Sequence, residues 1–160
     1  MSNRLQLLVG FFSLLLGSVL YLAGGRASFT YLGHKLSFFL HPLPWNFSNL
    51  LGPVYGFLPC FLHPFGFSLI GISLLTRNRT SRLALCCVFA LMNVTFELGQ
   101  KYRAFASQLI PTWFAGFSFL DSFKNFFMKG TFSVFDLVAS ILGAGAAFAL
   151  CEIPKKGVET

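Results

Sequence analysis

The stretch Phe132–Cys151 reads FSVFDLVASILGAGAAFALC, and Leu83–Gln100 reads LALCCVFALMNVTFELGQ. Each is uncharged but for one acid and long enough to cross a bilayer, which takes about 20 apolar residues for about 30 Å of hydrocarbon. The acids are Asp136, near the start of the first run, and Glu97, near the end of the second. A charged side chain at the membrane centre costs roughly 3 kcal/mol, and less toward the ends. It therefore tends to face the bundle interior, to be paired and to mark a working site.

Working outward, two further runs approach a membrane span. Leu5–Ala23 follows Arg4 and holds about 19 apolar residues, longer than a signal-peptide core, so an uncleaved anchor is expected. Gly10 and Gly17, with Ser13 and Ser18 nearby, offer it a small-residue stripe for helix contact. A second span is expected over about Cys60–Leu75, with Pro64 in its first turn, where a missing N–H is harmless. The prolines from Pro42 to Pro59 argue against a helix before it. Asn49–Pro59 is thus expected to dip into the membrane or lie on its surface.

Composition agrees. Of 160 residues, 55% are hydrophobic and 11% charged, as in an integral membrane protein. The fold class expected is all-α, a polytopic bundle of about four transmembrane helices with an interfacial or re-entrant segment, in one domain over 1–160. The formal charge of +7 is read as orientation signal, not as a nucleic-acid surface. Arg77, Arg79 and Arg82 crowd one short loop and Lys155 and Lys156 the tail, which places both termini in the cytoplasm. Leu120, Phe123, Phe126 and Phe127 recur at helical spacing in the connection before the last run, the pattern of a helix in the headgroup layer. The four cysteines have no zinc-site spacing, and no metal or other cofactor is expected. The glycosylation triplets at Asn46, Asn78 and Asn93 are read as chance matches.

That topology brings His63, Glu97 and Asp136, from three helices, to one depth below the outer surface. Gln100 shares a face with Glu97. Asp136, Ser140, Gly143 and Ala147 form one stripe, whose small residues let another helix approach, most simply the face bearing Glu97 and Gln100. A purely structural account also exists: acids near helix ends reach the interface or pair with Lys101, Arg103 or Lys129, and Asp136 sits where the helix dipole favours negative charge.

The blocks FELGQ (Phe96–Gln100) and GTFSVFDLVASILGA (Gly130–Ala144) resemble the VanZ-like membrane proteins, small bacterial multi-span proteins. In these, a Glu-x-x-Gln segment precedes an Asp-containing start of the last helix, followed by a glycine. LPCFLHPFGFSL (Leu58–Leu69) is similar to a helix start in one branch of that group. The resemblance covers about the last 100 residues and carries over Glu97, Gln100, Gly130, Asp136 and Gly143. Where the family commonly has an arginine before the aspartate and an asparagine four residues after it, this chain has Lys129-Gly130 and Ser140. The resemblance implies a bacterial plasma membrane and a link to resistance against a lipid-bearing glycopeptide antibiotic. It names no reaction.

Three functions fit. One is binding or modulation of an amphiphilic envelope component, a membrane lipid or lipid-linked precursor, through a cluster of His63, Glu97, Gln100 and Asp136 supported by Lys129, Gly130, Ser140 and Gly143. The second is a membrane-embedded enzyme in which two carboxylates and a histidine hold a divalent metal or act as acid and base; no HExxH, GxSxG or phosphotransfer signature accompanies them. The third is proton-coupled or small-solute transport, for which four spans leave little room unless the chain forms a homo-oligomer.

Overall fold

A computed structural model describes residues 3–23, 52, 54–75, 78–109, 111, 128 and 130–153. These residues form helices and no strand: α1 (Asn3–Ala23), α2 (Val54–Leu75), α3 (Arg79–Lys101), the short α4 (Arg103–Leu109) and α5 (Val134–Glu152). All but α4 are long and apolar enough to span a membrane, so this is a multi-pass membrane protein. The segment expected over 120–127, most of the first long connection, Lys129 and the Lys155–Lys156 tail lie outside the described residues.

The bundle is organised around α2, which packs on α1, α3 and α5, while α5 also packs on α3. Cross-helix contacts fix the directions. Tyr55 Oη donates to the Leu20 carbonyl (2.7 Å) and Asn3 Nδ2 to the Ser73 carbonyl (3.3 Å), so α1 and α2 are antiparallel. Glu97 meets Ser133, and Arg82 meets Glu152, so α3 and α5 are antiparallel too. Residue types are sorted as lipid requires. Leu8, Phe11, Phe12 and Leu15 of α1 and Ile141 and Leu142 of α5 are exposed on the outside, whereas Gln6, Ser13, Ser68, Glu97, Gln100, Asp136 and Ser140 are buried. Inside, van der Waals contact and hydrogen bonds hold helices together, because lipid tails are as apolar as the side chains.

Small residues make the close approaches. A Cβ on Gly66 would lie 2.8 Å from the Gly10 carbonyl oxygen, so α1 and α2 nearly touch backbone to backbone. On α5 a Cβ at Gly143 would overlap the Phe61 carbonyl of α2, whereas one at Gly145 would meet nothing within 4 Å. The stripe Asp136, Ser140, Gly143 and Ala147 is buried as its spacing implied. Ser140 and Gly143, however, press on α2 rather than on the Glu97 face of α3.

The start of the second span is corrected. The helix begins at Val54, not near Cys60, and Pro59 and Pro64 lie in its interior. An interior proline removes one backbone bond, about 3 kcal/mol or more in water. Membrane helices tolerate it when neighbours satisfy the released carbonyl. Pro64 releases the carbonyl of Cys60, four residues back, and Ser140 Oγ of α5 stands 3.1 Å from that oxygen. The same hydroxyl is 2.9 Å from the Asp136 carbonyl, so its single proton is shared between two acceptors.

The arginine loop is also tighter than its sequence suggested. Asn78 caps α3, its Oδ1 accepting from the Ser81 N–H at 2.7 Å, so Arg79 and Arg82 belong to the helix. Arg82 Nη1 donates to Glu152 Oε1 (3.0 Å) and to the Cys151 carbonyl (3.3 Å). A cation thus sits at the C-terminal, negative end of the α5 dipole. Arg79 adds a longer contact to Glu152, 3.5 Å, from a side chain that is 78% exposed.

These contacts set an expectation for the two α5 glycines. Gly143→Ala forces α5 off α2 and is expected to lower the melting temperature in detergent. Gly145→Ala adds a methyl to open surface and is expected to leave it unchanged or raise it slightly. Equal losses at both positions would refute the close contact with Phe61.

Candidate functional site

Near the end of the bundle where α2 and α5 begin and α3 finishes, three side chains converge. Cys60 Sγ, a Glu97 carboxylate oxygen and an Asp136 carboxylate oxygen all lie within 4.8 Å of one another. Glu97 and Asp136 are 8% and 4% exposed, and Cys60 is half-buried. At 1.5 Å per residue, Asp136 stands about 3 Å, Glu97 about 6 Å and Cys60 about 9 Å inside its own helix end. Each helix supplies one group, so the cluster's geometry depends on how α2, α3 and α5 pack.

Local structure orients both acids. Ser133 is the N-cap of α5, and its Oγ accepts the Asp136 N–H at 3.3 Å. Its own N–H points the other way and donates to Glu97 Oε2, also at 3.3 Å. Glu97 therefore faces the positive end of the α5 dipole, which stabilises a carboxylate by about 0.3–1 kcal/mol, and up to about 2 where it is partly buried. Asp136 lies in the first turn of that same helix. Lys101 Nζ sits over the Phe132 ring at 5.0 Å and the Tyr102 ring at 5.5 Å. Arg103 Nη1 donates to the Met128 carbonyl at 3.2 Å.

The structure thus brings Glu97 and Asp136 together, with Gln100 buried on the same face of α3 as Glu97. Ser140 and Gly143 line up on α5 beyond Asp136, and Gly130 lies just before the Ser133 cap. His63 is placed elsewhere. Its ring rests against Gly17 of α1, where an added Cβ would lie 3.3 Å from Cε1, and its Nδ1–H donates to the Pro59 carbonyl at 2.7 Å. The group that joins the acids is Cys60, which the sequence presented as a small apolar residue. A signal was available: once α2 begins at Val54, residues 57, 60, 61 and 64 share one face, and Phe57 stacks on Phe135 at the start of α5.

Chemically, two carboxylates this close repel each other, so a cation or a hydrogen-bond donor between them is favoured. The arrangement can accept hydrogen bonds from a donor-rich headgroup, hold a cation or exchange a proton.

The bond from Ser140 to the Cys60 carbonyl holds α5 at the depth that places Asp136 in the cluster. Ser140→Ala is expected to destabilise the bundle by about 0.5–2 kcal/mol, the range for an interhelical hydrogen bond in a membrane bundle. Pro64→Ala restores an N–H for the same carbonyl, so Ser140→Ala should do less harm in that background. A double-mutant cycle of unfolding free energies in mixed micelles is therefore expected to show coupling of about 0.5 kcal/mol or more, and purely additive effects would contradict the bond.

No protein-family model, curated protein or solved structure matches this chain, so what the site does is argued from its geometry and chemistry.

Proposed function

We propose that this is a VanZ-like protein of a bacterial plasma membrane, with both termini cytoplasmic, that binds or modulates an amphiphilic envelope component. The ligand class is a membrane lipid, a lipid-linked envelope precursor or a lipoglycopeptide of comparable build. Glu97, Gln100 and Asp136 would engage its polar headgroup, and the apolar outer faces of the helices its acyl chains. The observation that carries this reading is the burial of Glu97, Gln100 and Asp136 together near one end of a membrane bundle. Burial of such groups in lipid is unfavourable enough that intramembrane ionisable residues are functional-site candidates by default. The resemblance of Phe96–Gln100 and Gly130–Ala144 to VanZ-like proteins points the same way. His63 does not enter this reading, because its ring is turned to α1.

The test compares wild type with Glu97→Gln and Asp136→Asn, purified in mild detergent, by thermal stability and by native mass spectrometry of retained lipid. The expected outcome is that both variants stay folded and lose a lipid species that wild type retains. Loss of stability with an unchanged lipid pattern would make the acids structural and defeat the proposal.

A further inference from the structure

We infer that Cys60, Glu97 and Asp136 form a binding site for a divalent transition metal of the zinc class. The inference deepens the headgroup reading, because it assigns a cofactor to the same cluster.

Geometry comes first. One sulfur and two carboxylate oxygens, from three different helices, lie within 4.8 Å of one another. Bonds of about 2.0–2.3 Å around a tetrahedral zinc leave neighbouring ligand atoms about 3.5 Å apart. A pair at the 4.8 Å limit closes to that distance when each atom moves by under about 1 Å toward the other. The donor set then selects the metal. Magnesium and calcium take oxygen ligands throughout, whereas a thiolate beside carboxylates suits zinc and its neighbours. Binding forms one metal–sulfur and two metal–oxygen bonds and releases the Cys60 thiol proton to solvent, along with any proton the two carboxyl groups share. The divalent charge then offsets two of the three negative charges.

Gln100, the next residue on the Glu97 face of α3, is buried one turn nearer the end of that helix. Three protein ligands leave a fourth tetrahedral position open for a water or a headgroup oxygen. Outer contacts of the kind metal sites use are also in place: the Ser133 N–H holds Glu97 Oε2, and Ser133 Oγ fixes the first turn that carries Asp136.

The test uses the full chain in detergent, stripped of metal and titrated with Co²⁺ as the optical probe. Wild type is expected to give the near-ultraviolet thiolate-to-cobalt charge-transfer band and intense visible bands of a tetrahedral site, both abolished by Zn²⁺. Cys60→Ser should lose the thiolate band, whereas Cys151→Ser, remote at the other end of α5, should keep it. Glu97→Gln and Asp136→Asn should each weaken Co²⁺ binding by more than about tenfold. A readout that needs no folded acid variant is the melting temperature of wild type and Cys60→Ser: Zn²⁺ should raise the first, spare the second, and not be matched by Mg²⁺. Absence of the thiolate band in wild type, its survival in Cys60→Ser, or equal Zn²⁺ stabilisation of both proteins would overturn the site. Cys60→Ser also separates the two proposals, since it removes the thiolate required here and keeps both acids on which headgroup binding rests.

Discussion

Hydrocarbon supplies no water to a stranded backbone carbonyl, and this fold is arranged around one such group. Pro64 takes away the N–H that would have closed on the Cys60 carbonyl, and Ser140 of α5 reaches it at 3.1 Å. That bond fixes α5 in depth and rotation against α2. One turn further on, Gly143 must then pass the Phe61 backbone with no side chain at all. One turn earlier, Asp136 is carried to the place where Cys60 and Glu97 already face each other. A proline that would weaken an isolated helix thus specifies how two helices meet.

The other neighbour of α5 grips it at both ends, with charges that suit its dipole. Glu97 of α3 accepts from the Ser133 N–H at the positive end, and Arg82 of α3 donates to the Cys151 carbonyl and Glu152 at the negative end. The two residues are 15 positions apart, about 22 Å along α3, close to the length of the span they bracket. They also make α3 and α5 one unit, against which α2 presents its proline-bearing face.

Much of this was legible in the sequence because lipid imposes simple rules. Four apolar runs near the required length gave the four spans, and the acids inside two of them gave Glu97 and Asp136 as neighbours in space. The misreadings share one cause. A reading of Pro59 as a helix stop places the start of α2 six residues late, because a proline's lost N–H is visible in the sequence whereas a compensating partner on another helix, such as Ser140 for Pro64, is not. The rotation of α2 was lost with it. Cys60 and His63 lie only about 60° apart around a helix, so choosing which faces the acids requires knowing the neighbours on either side. Gly17 of α1 decides it, by leaving room for the imidazole on the opposite flank. The Gly10–Gly17 spacing had marked α1 as a contact helix, without saying which residues of α2 it would receive.

A structural role and a binding role for the cluster are not exclusive. Ser133 caps α5, and Glu97 adds a negative charge at that end by accepting the Ser133 N–H. The Asp136 N–H is already met by Ser133 Oγ, so the Asp136 carboxylate is not needed to cap its own helix. Asp136, in the first turn of α5, also lies where the helix dipole favours a negative charge. The dipole thus acts on both acids, and the half-buried thiol of Cys60 stands beside them. An amide at position 136 would fill similar volume without setting two like charges side by side, and it would be the less costly choice if packing alone were served. Two acids and a thiol from three helices at one buried point suit a positively charged or donor-rich ligand, and that convergence is the physical reason to treat this end of the bundle as a site.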